Sequence, residues 1–297
     1  MLMDRIYTPA DDSVLYHYCS ASTFQAIATN RTMRFSDINM LNDESEVRWG
    51  YSVFEEAATR IIRRAGVSDA CPVITEDFIE EIDKIISPAQ LVAHPFIACF
   101  SLEPDILSQW RAYADDGRGF AVGFNGALLA QNLPVTLLKV LYEREQQVKE
   151  MMLAIISIYV EQHGQDGENR GRFIEDCILL ATYMTAFKHP AFIEEQEVRA
   201  VHAVGTAKQG NLAKFVDGGG ILGGDVEAAG IPVSFQVRDG HLNAYMDLSL
   251  TPLERPTPIS RLVLGPKNHG LPGNLYLFLG GLGYESIDLR KSSAPYR

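Results

Sequence analysis

Residues 94–124, HPFIACFSLEPDILSQWRAYADDGRGFAVGF, constrain this chain more than any other stretch. The apolar, β-rich run Phe96–Phe100 reads as a buried strand, ended by Ser101 and by Pro104, whose fixed φ suits the first turn of a helix. A short helix is expected to run to about Ala114. Asp115, Asp116, Gly117, Arg118 and Gly119 have turn chemistry, and Phe120–Phe124 reads as a second short strand. Ser101, Trp110, Tyr113 and Arg118 then fall at or near the ends of elements, where rigid scaffolds present polar groups to ligands. Trp110 and Tyr113, three apart on one helix face, are also readable as core aromatics with a wet tip.

The rest of the chain supplies further short elements. Val14–Cys19 alternates, with Leu15, His17 and Cys19 on one face and Tyr16 and Tyr18 on the other. Ser20 or Ser22 caps a helix to about Ala28, and Arg34–Ser36 is a brief strand. In the acidic loop that follows, Asp37 and Asn39 mimic the start of a calcium loop. Leu41 at the next ligand position and the lack of a glycine exclude one. Asn42 or Asp43 reads instead as the N-cap of a helix reaching about Arg64, with Glu46 three residues after Asp43. Thr75 caps a helix over Glu76–Ile86.

Val135–Tyr142 is a strand candidate, and helices flank the 164–171 loop. In the second of them Phe173, Cys177, Leu180 and Met184 recur at core-facing spacing. After Pro190 the period changes to two, which lines up Glu195, Glu197, Arg199 and Val201 on one strand face. On an exposed edge such a row would serve solvation and cross-strand pairing.

Gly205–Gly230 is glycine-rich and reads as a long mobile loop, without the spacing of a P-loop or of G-x-G-x-x-G. Pro232–Arg238 and His241–Leu248 flank Asp239-Gly240, a strong hairpin signal. Arg261–Leu264 and Ser286–Leu289 read as strands and Leu271–Leu282 as a helix. The expectation is one α+β domain over residues 1–297. Its core is a twisted, largely antiparallel sheet, whole or split, surrounded by helices, with a helical insertion at about 143–190.

Composition narrows the function classes. A net charge of −12 and a pI near 5.0 work against tight binding to a nucleic-acid backbone, which rests on clustered Lys and Arg. The mostly apolar run Met151–Val160 falls far short of the roughly 20 residues that span a bilayer, and the acidic N-terminus does not resemble a signal peptide. A cytoplasmic, soluble protein is expected. Cys19, Cys71, Cys99 and Cys177 have no C-x-x-C spacing and read as reduced core residues, with no metal site.

Several segments taken in order resemble a known group. LYHYCS, RFSDINMLNDESE, ACFSLEPDILSQW with RAYA, GFAVGF, EEQEVR, the LGP after Arg261, and SSAPYR are similar to the bacterial proteins of domain of unknown function family 2971. Glu44 replaces the proline of that family's N-D-P-x-E pattern, between Asn42-Asp43 and Glu46. A more distant resemblance is to ADP-ribosyltransferase folds, in which a histidine on an early strand holds the cofactor's ribose and an E-x-E glutamate begins a later one. His17 and Glu195-x-Glu197 match these two elements. The middle element, S-T-S or a stacking tyrosine, has only Tyr113 or Ser101 as candidates.

That resemblance implies glycosyl transfer from NAD as substrate, with Glu197 bonding the ribose hydroxyl and stabilising the cation and Glu195 orienting the acceptor. His17 would bond the adenosine ribose as a neutral donor, Tyr18 or Trp110 would stack on nicotinamide, and Ser36, Tyr113 and Arg199 would join the cofactor set. The alternative is a protein that binds a small anionic ligand through Arg34, Arg111, Arg118, Arg199 or Arg297. A third reading is a toxin-like or defence-associated module with a protein partner. A common cleft for His17 and Glu197 favours the transferase, and opposite faces of the sheet exclude it. The SSAPYR segment is expected to lie against the domain, with Tyr296 inserted between elements and Arg297 paired to Glu195, Glu197 or Glu46.

Overall fold

The computed structural model describes residues 5–38, 44–64, 73–87, 93–163, 169–238 and 240–296, with the backbone alone at 44–47, 64 and 93. The first half contains β1 (Val14–Cys19), α1 (Ala21–Asn30), β2 (Thr32–Asp37), α2 (Glu44–Arg64), α3 (Glu76–Ile86), β3 (Ala93–Ser101) and α4 (Leu107–Tyr113). Next come β4 (Phe120–Asn125), α5 (Gly126–Asn132), β5 (Thr136–Lys139), α6 (Arg144–Gln162) and α7 (Arg170–Met184). A 3-10 turn, Pro190–Glu195, leads into β6 (Glu197–Gln209), β7 (Leu212–Val216), β8 (Gly220–Leu222) and β9 (Val226–Ala228). The chain continues with β10 (Ser234–Arg238), β11 (His241–Ser249), β12 (Ile259–Leu264), α8 (Pro272–Gly281) and β13 (Asp288–Lys291). The fold is mixed α+β around an open, mostly antiparallel sheet, as the alternating patterns predict.

Local chemistry explains the elements. The Ser20 hydroxyl accepts from the Thr23 amide to start α1, and Thr75 does the same for α3 through Phe78. Pro104 lies before α4 and not in its first turn; Ile106 is the residue at the N-cap. After α4, Asp115, Asp116 and Gly117 all have positive φ, a run that Asp tolerates and Gly favours. At Gly119 a Cβ would lie 2.1 Å from the Cys19 carbonyl, so the approach of this turn to β1 demands glycine.

The sheet is forked. Along one edge of β3 runs β6, paired from Ala93↔Gly205 to Ser101↔Glu197. The other edge is shared: β2 pairs at Phe96 and Ile97, and β1 pairs at Ser101. β1 and β2 therefore diverge across Ala98–Phe100 and leave a notch in the sheet. Beyond β1 lie β4, β12 and the parallel β13; beyond β2 lie β11 and β10.

One face of the sheet buries Leu15, Phe35, Phe96, Phe100, Val122 and Phe124 against α1, α5 and α8. The helices α2, α3, α6 and α7 enclose a second apolar cluster that includes Phe54, Ile82, Met151 and Cys177. Asn42 and Asp43, read as caps, lie outside the described residues.

The glycine-rich stretch differs from the expected loop: it holds the end of β6 and the strands β7, β8 and β9. Asp217 accepts from the amides of Gly219 (2.9 Å) and Ile231 (2.8 Å) and from His202 Nε2 (2.8 Å), which ties the segment to β6. A Cβ on Gly219 would lie 2.0 Å from the Ala228 carbonyl, so its glycine serves close packing of two backbones.

Candidate functional site

A cavity of about 420 Å³ opens at the fork. β1 contributes Tyr16, His17 and Tyr18, β2 contributes Arg34 and Ser36, and β3 contributes Ile97–Ser101. Glu197 and Arg199 come from β6, Lys188, Phe192 and Glu195 from the segment before it, and Gln109, Ala112 and Tyr113 from α4. Arg238 comes from the end of β10.

Strand register explains why the carboxylates point there. Antiparallel partners share a face, so the pairs Tyr16↔Ser101 and Ser101↔Glu197 set Tyr16, Ser101 and Glu197 side by side. Cys99↔Arg199 adds the next rung on that face. Glu195 is one residue short of the strand, because Gln196 is left-handed (φ 43°) and closes the 3-10 turn. The Ser101 hydroxyl donates to the Glu195 carbonyl at 2.8 Å and fixes that turn to β3.

The two glutamates have different surroundings. Arg199 holds Glu197 by Nε–Oε1 (2.7 Å) and Nη2–Oε2 (3.1 Å), and Lys188 Nζ adds a third donor to Oε2 at 3.0 Å. The Cys99 thiol supplies a further hydrogen bond to the carboxylate. Burial alone would raise the Glu197 pKa, but Arg199 and Lys188 overcome it and bring it down to about 2. Its acceptor positions are then taken by protein donors. Arg199, only 1 % exposed, also donates to the Thr185 carbonyl at 2.6 Å.

Glu195 is held by Lys188 at 2.5 Å and by the Tyr113 hydroxyl at 3.2 Å. Burial raises its pKa, and Lys188 offsets that only in part. The Tyr113 hydroxyl is also pushed up, by burial and by the Glu195 charge. Lys188 was not foreseen from the sequence. It precedes Pro190 in an irregular segment, where no period predicts which way a side chain faces.

His17 reaches the cavity by a different route. Alternation along β1 sets it with Leu15 and Cys19, on the face opposite Glu197, the placement expected to exclude the transferase, while both residues also line one cavity at the notch, the placement expected to favour it. Its Nδ1 donates to the Cys99 carbonyl at 2.9 Å, inside the notch. Burial lowers its pKa, so the ring is neutral at pH 7 with its proton on Nδ1. Nε2 therefore carries a lone pair and could only accept a hydrogen bond. The expected donor role is corrected by this tautomer.

Of the residues singled out from sequence, His17, Tyr18, Ser36, Tyr113, Glu195, Glu197 and Arg199 line the cavity, and Trp110 does not. Trp110 is fully buried, with its indole Nε1 donating to Asp105 at 2.7 Å, which excludes it from stacking on a ligand. Tyr18 packs edge-on against Trp110, and its hydroxyl lies between the Glu103 carbonyl and the Ile106 amide. Arg118 pairs with Asp115 and lies outside the lining, as does Arg111. Arg34 forks onto Asp247 through Nε and Nη2, both at 2.8 Å, and lies 3.8 Å from the centre of the Tyr245 ring. Arg297 lies outside the described residues. Among those described, no group of His, Cys, Asp and Glu is placed to hold a metal, and no helix is long and apolar enough to cross a membrane.

Residues 109–200 match the family described as Protein of unknown function (DUF2971). The matched stretch begins within α4 and ends within β6. It contains Tyr113, Lys188, Glu195, Glu197 and Arg199, whereas His17, Tyr18, Arg34 and Ser36 lie outside it. No curated protein and no solved structure matches the chain. The resemblance to that family is thus supported over one stretch, and nothing matched bears on ADP-ribosyltransferases.

Proposed function

We propose that the fork cavity binds a dinucleotide of the NAD type and cleaves its nicotinamide ribosyl bond. The observation that carries this reading is Glu195, a carboxyl with a raised pKa that lines the same cavity as the His17 lone pair. A ribose donates hydroxyl protons, which suits a histidine that can only accept. Four cationic side chains, Arg34, Lys188, Arg199 and Arg238, line the cavity against the two carboxylates, in a chain of net charge −12. Lys188 and Arg199 are paired with those carboxylates and Arg34 with Asp247, so the reading of an anionic ligand such as a diphosphate rests on the presence of these cations in the cavity wall.

In the reaction the C1′–N bond breaks and its electron pair leaves with neutral nicotinamide. The oxygen of water or of another acceptor bonds to C1′, and its proton passes to Glu195. The raised pKa makes Glu195 a stronger base than an ordinary carboxylate. Glu197 is given a different role from the one its E-x-E position implies: with its oxygens taken by Arg199, Lys188 and Cys99, it fixes the cations and leaves the ligand to Glu195.

A second reading, binding of an anionic ligand without turnover, is favoured by that saturation of Glu197. Incubating the protein with NAD and separating the products by chromatography distinguishes them. Equal amounts of nicotinamide and an ADP-ribosyl product support cleavage, whereas calorimetric binding of NAD or ADP-ribose with no nicotinamide released supports the second reading.

A further inference from the structure

The geometry points to Asp105 as a positioning residue: together with the segment Ser292–Tyr296 it clasps α4 at both ends and sets where Tyr113 meets Glu195. The importance given to that meeting rests on the reading of Glu195 as the reactive carboxylate.

Helix α4 has seven residues, too few to be stable alone, and Ile106 gives it no side-chain cap. Its position must come from tertiary contacts. Asp105 Oδ1 accepts from Trp110 Nε1 (2.7 Å) and from the Ser292 hydroxyl (2.5 Å). Asp105 Oδ2 accepts from the Ser293 amide (2.7 Å) and the Ser293 hydroxyl (2.9 Å). One carboxylate thus joins the helix to the segment. The segment is anchored in turn, because the Ser292 amide donates to the Leu264 carbonyl at the end of β12 (2.8 Å).

At the other end, Asp116 accepts from the Tyr296 hydroxyl and from Lys267 Nζ (2.9 Å). Lys267 Nζ lies 3.7 Å from the centre of the Tyr296 ring. The Gly117 amide donates back to the Trp110 carbonyl, closing the turn on the helix. Burial would raise the Asp105 pKa, but its serine and indole donors hold it below the usual carboxylate range, so the clasp is charged at neutral pH.

On the cavity side α4 makes two matching contacts with the 3-10 turn. The Tyr113 hydroxyl reaches Glu195 at 3.2 Å, and the Ser108 hydroxyl reaches Glu194 at 3.2 Å. Both are near the long end of hydrogen-bond distances, so a helix displaced by an ångström would lose them.

The test uses Asp105→Asn and Ser293→Ala in the full chain, with hydrogen exchange followed by mass spectrometry and nicotinamide release from NAD followed in parallel. Loss of hydrogen bonds to a carboxylate should speed exchange over residues 107–113 and 190–195 by roughly tenfold, with β6 unchanged. It should lower kcat for nicotinamide release by roughly tenfold with KM little altered. If the unaltered protein releases no nicotinamide, the NAD reading fails and the exchange result still decides the clasp. Unchanged exchange over 107–113 in both variants, or a change confined to 288–296, overturns it. Should Asp105→Asn fail to fold, Ser293→Ala and Tyr296→Phe, which each remove donors only, carry the same expectation.

Discussion

Glu195 and Glu197 are two residues apart, and their environments send their acidities in opposite directions. Glu197 is depressed to about 2, so the stability it contributes is present above its ordinary value of 4.5 and is lost as the pH falls toward about 2. Glu195 is raised, so the folded state holds its proton more tightly than the unfolded chain, and folding loses stability as the pH rises through the raised value. Carbon-13 NMR of labelled glutamate side chains is expected to show Glu197 ionised at pH 4 while Glu195 is still titrating above that pH. Equal titration midpoints would remove the distinction between an anchoring and a reacting carboxyl. Period-two spacing placed Glu197 and Arg199 correctly, whereas Glu195, expected on the same strand face, stands before the strand on the 3-10 turn. Nothing in the sequence pointed to Lys188 or to the His17 tautomer, since both depend on partners that only the fold brings near.

Element by element, the segments with local signals were legible. Thr75 and α3 match the capping rule, and β10 and β11 flank Gly240 as the hairpin signal requires. The fork was not legible, because pairing of β3 with both β1 and β2 on one edge is a long-range choice that no local pattern encodes. The glycine-rich stretch misled for a related reason: its glycines permit close backbone packing around Asp217, which composition alone cannot tell from flexibility. Asp217→Ala would leave the part-buried donors of Gly219, Ile231 and His202 without their acceptor, at a cost of about 1–3 kcal/mol. Chemical denaturation should register that loss, with faster hydrogen exchange centred on residues 217–231; exchange unchanged there would mean that the segment is held by other contacts.

For the whole molecule, we propose that the sheet core and the helical core form one cooperative domain. Side-chain bonds link the helices to the sheet and to the segments beside it: Arg199 on β6 donates to the Thr185 carbonyl just after α7. Gln147 on α6 donates to the Leu141 and Lys188 carbonyls, and Trp49 on α2 donates to Gln147. The two tryptophans belong to different parts, Trp49 to α2 and its contact with α6, and Trp110 to α4 and its contact with β1. With Trp49→Phe isolating Trp110, its fluorescence and the far-ultraviolet circular dichroism should unfold with one midpoint. Separated midpoints would mean two independent units.

The cavity lies at the fork of the sheet, with α4 and the segment before β6 each supplying a further wall. Its proposed chemistry is tested most directly by the rate of nicotinamide release from NAD, measured side by side for the unaltered protein and Glu195→Gln. The expected result is release by the former and a fall on the order of 10²–10⁴ in the latter, the usual contribution of a general base. No release by either protein, or equal rates in both, would contradict the assignment of this cavity as a site of NAD cleavage.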